Sequence, residues 1–299
     1  PHGIPSHDTF GRVFAYLHAE EFEGCFLAWI QAVSEVLPGQ IIAIDGKKLR
    51  HSYDRRLGKS AIHMVSAWAS ENRLVLGQRK VDEKSNEITA IPALLDTLAV
   101  AGCIVTIDAM GCQKAIAAKI VARGGDYLLA LKGNQEHLSE DVEALFLWAE
   151  THGFDGLQHD VARTTNKGHG RIEKRECVTL SDPTCLQMLP NREAWVNLRT
   201  VVRVRSERQV EGQVTVETRY FISSLAGDAP HLAKQALRAA RQHWGIENQV
   251  HQYLMRAART CPEMEQHVLI ARGRCNPSFE NDVFASARSV SYAKYWHGV

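Results

Sequence analysis

Two short apolar runs that each close on an aspartate constrain this chain more than any other feature. They are Ile41-Ile42-Ala43-Ile44-Asp45 and Cys103-Ile104-Val105-Thr106-Ile107-Asp108. Runs rich in β-branched residues read as buried strands, and an acid at the last position falls at the carboxyl edge of the sheet. Two such strands side by side bring two carboxylates together, which charge repulsion opposes unless a cation joins them. A third acid, Glu247, stands far along the chain in His243-Trp244-Gly245-Ile246-Glu247-Asn248. A helix carrying it back to the sheet edge would complete an oxygen-rich site for a divalent metal, the arrangement that phosphoryl transfer on DNA requires.

At 299 residues the chain is long enough to bury a large core, as one domain with an insertion or as two. Its 45% hydrophobic and 23% charged fractions are those of an ordinary globular protein. No stretch approaches the roughly 18 apolar residues of a membrane span, and no leader peptide is visible. The seven cysteines are scattered and show no C-x-x-C pair, which points to buried reduced thiols in a cytoplasmic protein. Pro1 is not a methionine, so the sequence reads as a segment of a longer chain. A net charge of +1 means that any nucleic-acid affinity must rest on local basic clusters.

Residues 1–37 read as the remnant of a helical N-terminal region, with Ser6 capping a helix through Val13, Leu17 and Phe22, and Phe26, Trp29 and Ile30 continuing the apolar face. Ser6-His7-Asp8 is set aside as a hydrolase triad, because triad members meet through folding and not through adjacency. After Pro38-Gly39 an α/β pattern spans 38–152. Strands are expected at 41–45, 62–69, 73–81, 103–108 and 127–131, and helices at about 88–100, 113–123 and 135–151. Ser70-Glu71-Asn72 joins two strands at hairpin length, so a meander comes first and parallel strands follow through helices. Residues 153–225 read as a β-rich insertion, in which 195–204 and 214–222 alternate and Glu211-Gly212 turns between them. A return helix at 226–256 would carry Glu247, and 257–299 form a divergent tail.

The surroundings of the acids add candidate DNA contacts, each with a plainer alternative. Lys47, Lys48 and Arg50 follow Asp45 and could hold phosphates or form a solvated loop. Lys132, Asn134 and Gln135 follow the strand at 127–131, on the same edge, although Asn134 could simply cap the next helix. Lys167, His169 and Arg171 lie in a glycine-spaced basic stretch opening a strand, where a backbone can approach a phosphate or make an ordinary hairpin. His243 and His251, eight apart, read as core or DNA-side histidines and not as a zinc pair. P-loop, dinucleotide-binding, zincin and nucleophile-elbow motifs are all missing from the sequence.

At these residues the chain resembles the H-repeat-associated proteins, a branch of the bacterial insertion-sequence DDE transposases. The matching strings run in order from Gly3-Ile-Pro-Ser-His-Asp-Thr-Phe-Gly11 through Ala43-Ile-Asp-Gly-Lys47, Thr106-Ile-Asp-Ala-Met-Gly-Cys-Gln113 and Asp126-Tyr-Leu-Leu-Ala-Leu-Lys-Gly-Asn-Gln135 to Gly168-His-Gly-Arg-Ile-Glu173 and His243-Trp-Gly-Ile-Glu-Asn248. The resemblance implies an RNase H-like mixed sheet with flanking helices and a β-rich insertion before the last catalytic helix. It implies Asp45, Asp108 and Glu247 as a triad holding two Mg²⁺ (or Mn²⁺) ions, and cleavage and strand transfer of double-stranded DNA. It also implies His243, Trp244 and Asn248 as DNA-side residues, a homodimer in a synaptic complex and a nucleoid location. Two departures are expected to matter: most of the family's N-terminal helical region is missing, and the resemblance stops after Leu254, which points to a frameshift. A relic that binds DNA without cutting it is one rival reading, and a phosphatase using strand-end aspartates is another.

Overall fold

The run after Pro38-Gly39 becomes an interior strand of a sheet because its pleat buries apolar side chains on both faces. The computed structural model describes residues 9, 12–13, 16–33, 38–49, 61–82, 86–168, 170–252 and 254–255. Strand β1 (Ile41–Lys48) pairs antiparallel with β2 (His63–Ala69), and β2 pairs antiparallel with β3 (Leu74–Lys80). Arg73, at φ 53°, closes the turn after Ser70-Glu71-Asn72. Helix α2 (Glu87–Leu95) leads to β4 (Ile104–Ile107), which lies parallel to β1 on its other side. Helix α3 (Lys114–Ala122) then leads to β5 (Asp126–Leu131), parallel to β4. The order β3-β2-β1-β4-β5, with β2 alone reversed, is the RNase H-like mixed sheet that the resemblance implies.

Pleat parity sorts the core into two faces. Ile42, Ile44, Val105, Ile107 and Leu129 join one apolar cluster with Ile91, Leu94 and Leu95 of α2, Ile116 and Ile120 of α3, and Val142 and Phe146 of α4 (Glu136–Thr151). Ile41, Ala43, Ile104 and Leu128 point the other way, under helix α6 (Leu232–Ile246) and the turn that continues it. The N-terminal segment contributes α1 (Ala19–Val33), whose Ile30 is buried in the first cluster. Ser6 and the Ser6-His7-Asp8 string lie outside the described residues, as does the tail at 257–299.

The residues between α4 and α6 do not stand apart from the sheet. Strands β6 (His159–Gly168), β7 (Arg171–Leu180), β8 (Thr200–Val210) and β9 (Gln213–Ser223) are antiparallel neighbours, with the short helix α5 (Pro183–Gln187) between β7 and β8, and β9 pairs with β5 through Leu128↔Ser223. The result is one nine-stranded sheet. Glu211 and Gly212, both at positive φ, make the tight turn expected between β8 and β9. One expectation needs correction: residues 195–197 are not strand, because Trp195 anchors in the core and Asn197 turns the chain at φ 54° before β8 begins. The basic stretch around Lys167 opens β7 as expected, and it also closes β6, turning near Gly170 between the two strands. Of the cysteines, 103, 112, 177 and 185 are buried and unpaired, Cys25 is exposed, and 261 and 275 lie outside the described residues.

Candidate active site

Asp45 is not the last residue of its strand. Strand β1 runs on through Gly46, Lys47 and Lys48 because β2 continues to pair with it, Lys48 lying opposite His63. Asp45 is instead the first residue beyond the parallel pairing with β4, which ends at Ile44↔Ile107. The next residue on each strand is an aspartate, so Asp45 and Asp108 stand abreast. Parity puts Asp45 on the face of Ile41 and Ala43, the face that α6 covers. Asp45 Oδ1 accepts the Gly46 N–H at 2.9 Å, and Asp108 Oδ1 accepts the Gly111 N–H at 3.2 Å. Both acids are half-buried.

Helix α6 delivers the third acid. It ends at Ile246 and gives way to a π-helical turn, Glu247–His251, a rare geometry that often marks functional positions. Glu247 shares a cleft of about 670 Å³ with Asp45 and Asp108, lined also by Thr106, Lys132, Arg219, His243 and Trp244. Its Oε1 accepts from Lys47 Nζ at 3.2 Å, both side chains being half-buried. His243 Nδ1 lies 3.1 Å from Thr106 Oγ1, and desolvation holds its pKa below the usual histidine value.

Electrostatically the site is overloaded with negative charge. Burial, then the charges of Asp108 and Glu87, push the Asp45 carboxyl up to about 7, against weaker opposing pulls from the Gly46 N–H and Lys47. Glu87 is the acid that the sequence did not nominate. It opens α2, where an acid is unremarkable beside a helix N-terminus, and only the fold brings it near β1. Carboxylate oxygens of Asp45, Glu87 and Asp108 lie within 4.8 Å of one another. An all-carboxylate donor set at this spacing suits hard divalent cations such as Mg²⁺ or Mn²⁺. His251, buried at 1% exposure, sits with Nδ1 3.4 Å from Asp45 Oδ2. This approach is no ion pair: burial, with Lys47 and His243 nearby, drives the His251 pKa down to about 3 and keeps the ring neutral.

The other predicted positions divide. Lys132 and Trp244 line the cleft with the acids. Trp244, 44% exposed, carries the Arg219 guanidinium over its ring at 4.7 Å. Arg171, Trp244 and Asn248 line a second groove of about 660 Å³ that shares Arg219 and Trp244 with the first. Arg175, Arg208 and Arg241 join them there, and spacing alone had not singled them out. Asn134 and Gln135 donate their amides to the carbonyls of Ala109 and Cys112, tying the loop after β5 to the loop after Asp108. Asn134 does not cap α4. Lys48 is exposed at the end of β1, and Lys167 is exposed near the β6–β7 turn, in neither groove. Arg50 and His169 lie outside the described residues.

A family model described as "Transposase DDE domain" matches residues 37–271. The chain belongs to the DDE transposase family. Its relatives place it in the H-repeat branch. The "H repeat-associated putative transposase YhhI" of Escherichia coli K12 is 42% identical over 255 residues, covering 83% of this chain and 65% of that protein. A Xanthobacter autotrophicus protein named for the dhlA 3′ region is 44% identical over 229 residues, 76% of this chain and 74% of its own length. This DDE-family chain thus spans about 65% of the length of its E. coli K12 relatives YbfL and YhhI. The match to the family runs to residue 271, past Leu254, where the resemblance had been expected to stop. Among solved structures, a piggyBac transposase synaptic complex with hairpin DNA aligns over 94% of this chain and 55% of its own, at 10% identity and a TM-score of 0.43. No helix among the described residues is long and apolar enough to cross a membrane.

Proposed function

We propose that the chain is the catalytic part of a bacterial insertion-sequence transposase, which cuts DNA at transposon ends and joins the freed 3′ ends to target DNA. The observation that carries this reading is the Ile44↔Ile107 register, which sets Asp45 and Asp108 abreast on the face covered by the helix leading to Glu247. Divalent cations, two in the family's scheme, would activate the attacking hydroxyl and steady the leaving oxygen. The residues' part is to hold and to exclude. Asp45 and Asp108 offer carboxylates from neighbouring strands, and Glu247 closes the cleft from the helix side. Lys132, Arg219 and the arginines of the adjoining groove supply cations along a path for the phosphate backbone. Trp244, an exposed aromatic face backed by Arg219, offers a surface on which an unpaired base can stack.

In this account the chain works in the cytoplasm beside the nucleoid, as a homodimer that holds two transposon ends. Residues 38–152 and 226–256 form the catalytic core, and 153–225 form the DNA-facing extension. The test is nicking of supercoiled plasmid with Mn²⁺. The wild-type chain is expected to nick, and Asp45→Asn, Asp108→Asn and Glu247→Gln each to lose at least about 100-fold in rate. Equal nicking by wild type and all three variants would refute the reading. DNA binding without nicking would leave the relic.

A further inference from the structure

The Asp45–Asp108 pair has a third neighbour that is tied in place. Glu87 is 7% exposed, and its Oε1 lies 2.7 Å from His63 Nε2 on β2. That contact engages one carboxylate oxygen and leaves the other for a different partner. The approach depends on Gly46: a Cβ built there would overlap the Glu87 carboxyl carbon. Gly46 follows Asp45, and its pleat position faces the side from which α2 arrives, so the missing side chain lets Glu87 reach the aspartates.

An independent observation marks the same spot from the opposite side. Both ring nitrogens of His251 are buried without a hydrogen-bond partner, and Nδ1 lies 3.4 Å from Asp45 Oδ2 without the alignment of a hydrogen bond. An unpaired buried imidazole is costly unless something outside the protein serves it. A hydrated cation held by the carboxylates would bring water O–H donors to a site otherwise lined by acceptors. Lys47, whose charge acts on Asp45, donates its hydrogen bond to Glu247 and not to the three clustered acids.

We propose that Glu87 is a fourth ligand-bearing carboxylate of this site, so that Asp45, Asp108 and Glu87 bind a divalent cation before DNA arrives, with Glu247 outside that set. The proposal rests on reading the cleft as a metal site, and it assigns His63 and Gly46 as positioning residues for Glu87. Its test is Mn²⁺ binding to the DNA-free protein, followed by calorimetry and by loss of the free-ion Mn²⁺ resonance signal. Glu87→Gln, which keeps the size and the contact with His63, is expected to weaken binding at least about tenfold, as Asp108→Asn does. Glu247→Gln is expected to stay within about threefold of wild type. Glu87→Asp, charged but one methylene shorter, serves if the Gln variant does not fold, and is expected to fall between the two.

Wild-type affinity in Glu87→Gln, with binding lost in Asp45→Asn, would overturn the proposal and leave Glu87 as a core partner of His63. Failure of the wild-type chain to bind Mn²⁺ without DNA would also overturn it, while plasmid nicking would still decide the reading on which it rests.

Discussion

Asp45 is where the chemistry of the site becomes a stability statement. Its folded pKa of about 7 lies above the unfolded value of 3.8. The metal-free protein therefore has this contribution in full below pH 4 and loses it as pH rises through 7, where the buried carboxyl must ionise beside Asp108 and Glu87. Asp45→Asn removes the penalty. The metal-free variant is expected to melt several degrees above wild type at pH 8 and level with it at pH 3.5, as followed by circular dichroism. Added Mg²⁺ is expected to raise the wild-type Tm and to leave the variant unmoved. A variant that melts below wild type at pH 8 would show that the site is not under charge strain. Acid stress has a different source in His251, whose folded pKa of about 3 lies below the usual 6.5. Its contribution is complete above pH 6.5 and is lost as pH falls through 3.

The elements show how a strand's last paired residue, and not its last residue, sets the site. The β-branched runs at 41–44 and 104–107 were legible as strands, and the aspartates that follow them were legible as a pair. The length of β1 was not, because Gly46-Lys47-Lys48 carries no β signal and is held extended by β2. Glu87 was not legible either: no local pattern distinguishes it from any acid that opens a helix, and only the packing of α2 against β2 and β3 brings it to Asp45. The arginines of the ribbon were hidden for a related reason, since Arg175, Arg208 and Arg219 share a groove through strand register and not through sequence. Their part in DNA binding is measurable as counterion release. The double variant Arg208→Ala/Arg241→Ala is expected to weaken duplex binding at low salt and to reduce the slope of log Kd against log salt by about 1 to 2. An unchanged slope would place the duplex elsewhere.

For the whole molecule, the sheet is the organising object. The β-rich insertion expected before the return helix extends the same sheet from β5 outward, so the acids and the arginine groove lie along one surface beneath α6. The three acids come from residues separated by most of the chain, and they can act only as a unit if this fold assembles them. Plasmid nicking with Mn²⁺, compared across Asp108→Asn, Glu247→Gln and their double variant, tests that directly. Each single variant is expected to lose nearly all activity and the double variant to be no slower than either, because groups of one catalytic unit do not contribute additively. Independent, multiplying losses, or a Glu247→Gln chain that nicks like wild type, would contradict this expectation.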